Sequence, residues 1–257
     1  MKKYYFLCCF FPVLNWQVKP ELSFFELDRI LRWHLSDKDK SLLKIFKQYV
    51  DIKNIKALLE NLRLDPRSNL DEKGLDQSFL VGDFFPYLVF DFLKKYTGKE
   101  DRITNFASLL SNFLNYQIDN TKSPFLSFYF KMEREIRIVL SALRAKELKK
   151  DIVKELFFED PRDPFINFIF SQKEDESLEV PKEYLQLKEL FLKNKENPKH
   201  LEIALLKFKF FKNNDEMKKY FFNIDQILGY LANLIIIEDL YFLMQHPKKE
   251  VVDKLVI

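Results

Sequence analysis

Apolar residues recur at steps of three and four along most of the chain, so a helical period governs the reading of nearly every segment. In PELSFFELDRILRWHL the spacing predicts a helix from Ser23, with Phe24, Leu27, Ile30, Leu31 and Leu35 on one face. Ser23 followed by Glu26 is a capping box: the hydroxyl accepts from a free backbone N–H while the carboxylate accepts from another. The next stretch, SDKDKSLLKIFKQYVDIKNIKALLENLRL, opens with Ser36 or Asp37 as cap. Its apolar positions from Leu42 to Leu62 predict one long helix, or two with a break near Val50. DPRSNLDEKG, residues 65–74, mixes Pro, Asn and Gly with charges and predicts a mobile surface loop.

The same period predicts helices near 84–96, with Pro86 in the first turn, and near 100–118. FLSFYFKMEREIRIVLSALRAKELKK lacks Pro and Gly and predicts a long continuous helix over 125–150, with Glu133 and Arg137 as a favourable i,i+4 pair. DPRDP at 160–164 breaks the chain, and QKEDESLEVP at 172–181 predicts a solvated acidic linker. Three helices follow. Pro181 and Pro198 fit first-turn positions, Asn197 fits the cap before Pro198, and the last helix runs from about Asn223 to Gln245, with Pro247 as its stop. No convincing alternating strand pattern competes, and the fold class is all-α.

Composition narrows the function classes. Hydrophobic residues make up 47% of 257, ample for a real core, and 42 basic against 39 acidic side chains leave +3. So small a surplus gives no electrostatic case for nucleic acid. KFKFFKNNDEMKKYFF at 207–222 interleaves lysines with aromatics, but Phe208, Phe211 and Phe222 read better as core positions with the lysines reaching outward. Only four glycines occur, where average usage would give about 18. The fragment TGK at 97–99 lacks the upstream glycines of a phosphate loop and reads as a helix end with Gly98 as cap.

His34, His200 and His246 are isolated, with no cysteine or second histidine at ligand spacing, so neither a metal site nor any other cofactor site is expected. No serine or cysteine has a local base, although a triad can assemble from distant residues. Glu133 and Glu135 lie two apart on one helix and do not share a face, which leaves salt bridges to arginines as their simplest role.

The opening MKKYYFLCCFFPVL has the basic start and apolar run of an export signal but no small-residue cleavage site. It is too short to span a bilayer. It is expected to form a first helix packed inside the fold, with Pro12 near its end and Cys8 and Cys9 as small core residues. Adjacent cysteines do not suggest an oxidising compartment, and the cytoplasm is the expected location. IDQILGYLANLIIIEDLYFLM is strongly apolar, but Asp225, Glu238 and Asp239 fall within it, which favours a core helix over direct membrane insertion.

One segment carries a resemblance. YVDIKNIKALLENLR, residues 49–63, resembles the D-x-x-N-[IL]-K-x-L-L-R pattern of the funnel-shaped central-stalk subunit of V/A-type ATPases. Asp51, Asn54, Ile55, Lys56, Leu58 and Leu59 match it, with Glu60 where the family often has arginine and Arg63 one turn later. Ile55, Leu58, Leu59 and Leu62 make a buried stripe, while Asp51 and Asn54 lie on an adjacent strip where they can bind backbone or a partner.

EIRIVLSALRAK at 135–146 aligns with the same segment at a shift of 81 residues, placing Arg144 on Arg63. The layout also resembles a bacterial family found with V-type ATPase genes. Tyr4, Tyr5, Leu7, Pro12 and Leu14 match its opening, Pro20 and Ser23 its helix start, Ala142, Leu143 and Arg144 its ALRA segment. Phe222, Asp225, Tyr230 and Glu238 match its closing pattern, while Asp239-Leu240 departs from that family's basic-aromatic pair.

The resemblance implies a single all-helical domain of the stalk-subunit kind, with repeated helical lobes, about 1–64, 75–171 and 181–257, arranged as a funnel. It implies a non-catalytic part of a V-type ATPase or ATP synthase, without cofactor, coupling the shaft subunits to the membrane proteolipid ring during H+ or Na+ transport. Such a part is cytoplasmic and membrane-associated only through the complex. Asp51, Asn54, Lys56, Arg144 and Glu238 are the expected motif or interface positions. The alternative is a helical adaptor or assembly factor with no enzymatic activity.

Overall fold

A computed structural model describes residues 3–82, 84–175 and 177–245. His246 and Pro247 lie outside the described residues. Those described form thirteen α-helices and no strand. The helices are α1 (Tyr5–Phe10), α2 (Phe24–His34), α3 (Asp37–Leu59), α4 (Glu72–Val81), α5 (Tyr87–Lys95), α6 (Lys99–Thr104) and α7 (Phe106–Asn120). Then come α8 (Pro124–Glu147), α9 (Ile152–Glu155), α10 (Pro164–Phe170), α11 (Leu185–Asn194), α12 (Pro198–Met217) and α13 (Ile224–Gln245). A 3-10 turn at Lys182–Tyr184 leads into α11.

Local capping chemistry sets the boundaries. Ser23 and Glu26 form both halves of the capping box of α2. Ser36 rather than Asp37 caps α3, which runs unbroken past Val50. Asn197 caps α12 with Pro198 in the first turn, and Ser123 caps α8 with Pro124 in the first turn. Three boundaries differ from expectation. α3 stops at Leu59 because Asn61 turns to φ 57°, so Leu62 leaves the helix and its stripe. The 100–118 helix divides at Asn105 into α6 and α7, and Gly98 starts α6 instead of closing α5. α4 follows the loop at once: the Asp71 side chain accepts from the Gly74 N–H at 2.8 Å, and Gly82 closes the helix at φ 76°, where a side chain would be strained.

α8 is the central strut. Sixteen of its 24 residues are buried, and it packs against α7, α11, α12 and α13. One hydrophobic cluster runs from Tyr4 and Leu27 through Phe113 and Phe130 to Leu228 and Leu234, so all three lobe-length stretches contribute to one core. A smaller cluster lies between α12 and the C-terminal half of α13, where Leu206 and Phe210 meet Ile237 and Leu240. α12 is therefore sandwiched between two clusters. This is why Phe210 is buried, while Phe211, expected in the core, is half exposed; Phe208 is buried as expected and Phe222 half-buried.

α13 is the one described helix long and apolar enough to cross a membrane, yet 67% of its most apolar window is buried in the fold. It packs against α12, α8, α2 and α3. Gly229 brings it close to its neighbours: a Cβ there would lie 2.3 Å from Met217 Cγ and 3.1 Å from Phe125 Cε2. The first helix forms but is not an internal one. Only Leu7 is buried within α1, Cys8 is half-buried, and Cys9, Tyr5, Phe6 and Phe10 are exposed. Six residues bounded by Pro12 give a single turn and a half, which has room to bury one residue and no full face.

Candidate functional site

Asp51 and Asn54 sit one turn apart on α3 and are both buried, at 0% and 2% exposure. Their partners are the backbone of the 65–70 loop. The two Asp51 carboxylate oxygens accept from the Asn69 N–H at 2.9 Å, the Leu70 N–H at 3.0 Å and the Asn69 side-chain amide at 2.6 Å. The Asn54 amide accepts from the Asp65 N–H at 2.8 Å and donates to the Asp65 carbonyl at 2.9 Å. This loop is consequently pinned, contrary to the expectation of a mobile element. Burial raises the Asp51 pKa above its ordinary value even though three N–H groups pull it down.

Arg67 extends the knot across the molecule. Its guanidinium donates to Asp65 at 2.7 Å, to Asp239 at 2.8 Å, to Glu238 at 3.4 Å and to the Ile235 carbonyl at 3.3 Å. Burial alone would disfavour its charge, but Asp239 and Asp65 outweigh that and hold its pKa above the usual arginine value. Glu238 also accepts the Phe24 N–H at 2.7 Å, at the electropositive start of α2. Burial raises the Glu238 pKa, with the Phe24 N–H and Arg67 pulling the other way. The 65–70 loop, α2, α3 and α13 are thereby tied together through residues up to 214 positions apart.

A second charged cluster adjoins it. Glu133 of α8, 7% exposed, accepts from Tyr49 Oη at 2.8 Å and from Lys209 Nζ at 2.9 Å. Burial works against its charge, but Lys209 and Lys53 outweigh it and lower its pKa. Burial, then Glu133, pushes the Tyr49 phenol well above its ordinary value. Lys53 Nζ lies 4.1 Å from the Tyr49 ring centre. Burial raises the pKa of Glu202 on α12, against Lys209 and Lys53.

The expected Glu133–Arg137 pair and arginine partners for both glutamates do not form. α8 buries Glu133, Arg134, Glu135 and Arg137 together, and all four turn to partners outside α8. Glu135 accepts from Tyr184 Oη at 2.6 Å. Arg134 and Arg137 converge on the fully buried Glu159 at 2.7 and 3.0 Å, where Ser111 also donates, and Arg134 reaches Asp163 at 2.7 Å.

Of the five motif positions, Asp51, Asn54 and Glu238 are brought into one network. Lys56 is half-buried, 3.8 Å from Glu60, with its ammonium 5.9 Å from the Phe106 ring centre. Arg144 lies apart, lining a small cleft beside α7. The sequence reading missed Asp65, Arg67 and Asn69 as partners. The signal was available on α13: Glu238 and Asp239, an acidic pair inside the most apolar helix, require cationic or N–H partners when packed. Among the described residues, no group of three or more His, Cys, Asp or Glu is arranged to hold a metal ion. An open groove of about 960 Å³ runs along the loop side of the knot, lined by Leu58, Leu62, Arg63, Leu64, Pro66 and Asp71 among others.

Comparison with known proteins gives relatives rather than an activity. An uncharacterized protein of Chlamydia trachomatis serovar D is 26% identical over 245 residues, covering 91% of this chain and 90% of the relative. One of Chlamydia pneumoniae is 28% identical over 238 residues, covering 90% and 89%. No solved structure matches the chain. The family model described as "Protein of unknown function (DUF2764)" matches residues 1–256, and the chain belongs to that family.

Proposed function

We propose that the chain is a non-catalytic, load-bearing component of a bacterial V-type ATPase or ATP synthase, without a cofactor of its own. In this reading it sits between the shaft subunits and the proteolipid ring, on the cytoplasmic side, and meets the membrane only through the complex. The resemblance of residues 49–63 and of the opening and closing segments supplies the identity of the complex. The observation that carries the mechanical part is the knot: Asp51, Asn54 and Glu238 bind the 65–70 loop, α2, α3 and α13 into one body.

A torque-transmitting part must not yield between the surfaces where it is pushed and where it pushes. Buried hydrogen bonds linking distant segments supply that resistance, because each must be broken with its desolvation cost unpaid for the segments to slide. A general acid or base, by contrast, needs a lone pair or proton directed at a substrate. Asp51 and Asn54 direct theirs at loop backbone. The groove beside the loop offers a concave surface, with apolar Leu58, Leu62 and Leu64 beside charged Arg63 and Asp71, for a partner segment.

The test is purification of a tagged copy from membranes in mild detergent. Rotary-ATPase subunits should co-purify in fixed ratio. Recovery of the chain alone would refute the proposal, and recovery with an unrelated complex would favour the adaptor reading.

A further inference from the structure

We infer that the cleft between α7, α8 and the 148–158 segment is a binding site for a phosphate group, an inference independent of the rotary-ATPase reading. The cleft holds about 230 Å³ and is lined on its polar side by Arg137, Ser141, Arg144, Lys150 and Glu155, with Phe158 beside them. That space accommodates a phosphate group and several waters, at ~30 Å³ of liquid volume per water.

Spacing on α8 builds the site. Arg137, Ser141 and Arg144 stand at i, i+4 and i+7 and share one helix face, so two guanidinium groups flank one hydroxyl over about 10 Å of helix. A tetrahedral oxyanion accepts from several directions at once, which suits two arginines, a hydroxyl and an ammonium better than a single carboxylate does. Ala107, Ala145 and Leu148 supply an apolar wall.

The donors are only partly used. Arg137, 7% exposed, donates to the Ala107 carbonyl at 3.1 Å and to Glu159 at 3.0 Å, but its buried Nε has no acceptor. Arg144 is half-buried, and the charge that partly offsets its burial is Glu202, which also acts on Lys209 and is acted on by Lys53. Burial pushes both guanidinium pKa values down, with Glu159 and Glu202 compensating only in part, so an added anion would relieve both. Lys150 is paired with Glu155 at 3.0 Å, and that pair is partly exposed and able to open toward an incoming anion.

The negative end of the α8 dipole works against an anion here, so the side-chain cations must carry the binding. The Leu148, Lys149 and Lys150 N–H groups close the turn onto the Arg144, Lys146 and Ala145 carbonyls.

The experiment is calorimetric titration of the purified full-length chain with inorganic phosphate at constant ionic strength, with glycerol phosphate as a second arm. Saturable binding with Kd on the order of 0.1–1 mM is expected. Arg144→Gln should weaken it at least about tenfold, with the circular dichroism spectrum unchanged, while Ser141→Ala should weaken it less. Lys150→Gln provides an independent variant should Arg144→Gln not fold. Equal affinity for the two ligands would identify free phosphate as sufficient, and tighter binding of the ester would bring in the apolar wall. Absence of saturable heat up to about 10 mM phosphate, or an Arg144→Gln variant that binds as wild type, would overturn the inference.

Discussion

Asp51 gives the sharpest test of the knot. Asp51→Ala removes one acceptor group and leaves the part-buried Asn69 and Leu70 backbone N–H groups without a partner, while the Asn69 side-chain amide keeps its bond to the Lys44 carbonyl. Each unsatisfied buried donor costs about 1–3 kcal/mol, and relief of the carboxylate's own burial offsets part of the sum, which leaves about 3 kcal/mol. At roughly 2–4 °C per kcal/mol for a chain of this size, the melting temperature should fall by about 6–12 °C. Hydrogen exchange should place the effect, with the Asn69 and Leu70 amides losing about a hundredfold of protection if the loop opens locally. A variant melting within about 2 °C of wild type, with those amides still protected, would show that the loop is held by something other than Asp51.

Asp51→Asn separates shape from charge. Burial holds the Asp51 pKa above its ordinary 3.8. A carboxyl raised in this way contributes its stabilisation fully below the unfolded pKa and loses it as pH rises through the folded pKa. The stability gap between wild type and Asp51→Asn should therefore widen as pH is lowered toward 3.8 and be smallest near neutrality. Urea denaturation across that range measures it, and a gap that closes on acidification would contradict the assigned environment.

Glu133 should behave with the opposite sign. Its pKa is lowered, despite burial, by Lys209 and Lys53, so its contribution is present above the ordinary 4.5 and lost as pH falls through the folded value. The penalty of Glu133→Gln, read by urea denaturation, should shrink in acid. Glu159→Gln should cost about 3–5 kcal/mol, since two buried arginines lose their shared carboxylate, whereas joint replacement of Arg134, Arg137 and Glu159 by Met, Met and Leu should restore much of it in the same assay. Gly229→Ala should cost about 1–3 kcal/mol in thermal melts because its methyl group meets Met217 and the Phe125 ring, and pairing it with Met217→Ala should recover part of that loss.

The legible parts of this fold are those whose physics is local. Ser23 with Glu26, Asn197 with Pro198 and the unbroken α8 depend on residues within a turn or two, and a single sequence carries that information intact. α4 was hidden because Gly74 sits in its first turn, where a glycine between charges looks like a loop, and only the Asp71 cap shows otherwise. The motif drew attention to Asp51, Asn54 and Glu238 but could not name what they touch. Arg67 is two residues from Asp65 in the chain yet reaches Glu238 and Asp239 on α13. The pattern MEREIR was misread for a related reason. A charged run on one helix is normally a solvated face, but here the helix is enclosed along most of its length, with 16 of its 24 residues buried. Its charges must then find partners on other segments, as Glu133 does with Lys209 of α12 and Arg137 with Glu159 of the loop between α9 and α10. Burial inferred from the neighbours of a charge, rather than from the charge itself, is what would have turned that run from pairs within one helix into the set of struts around which the helices are fixed.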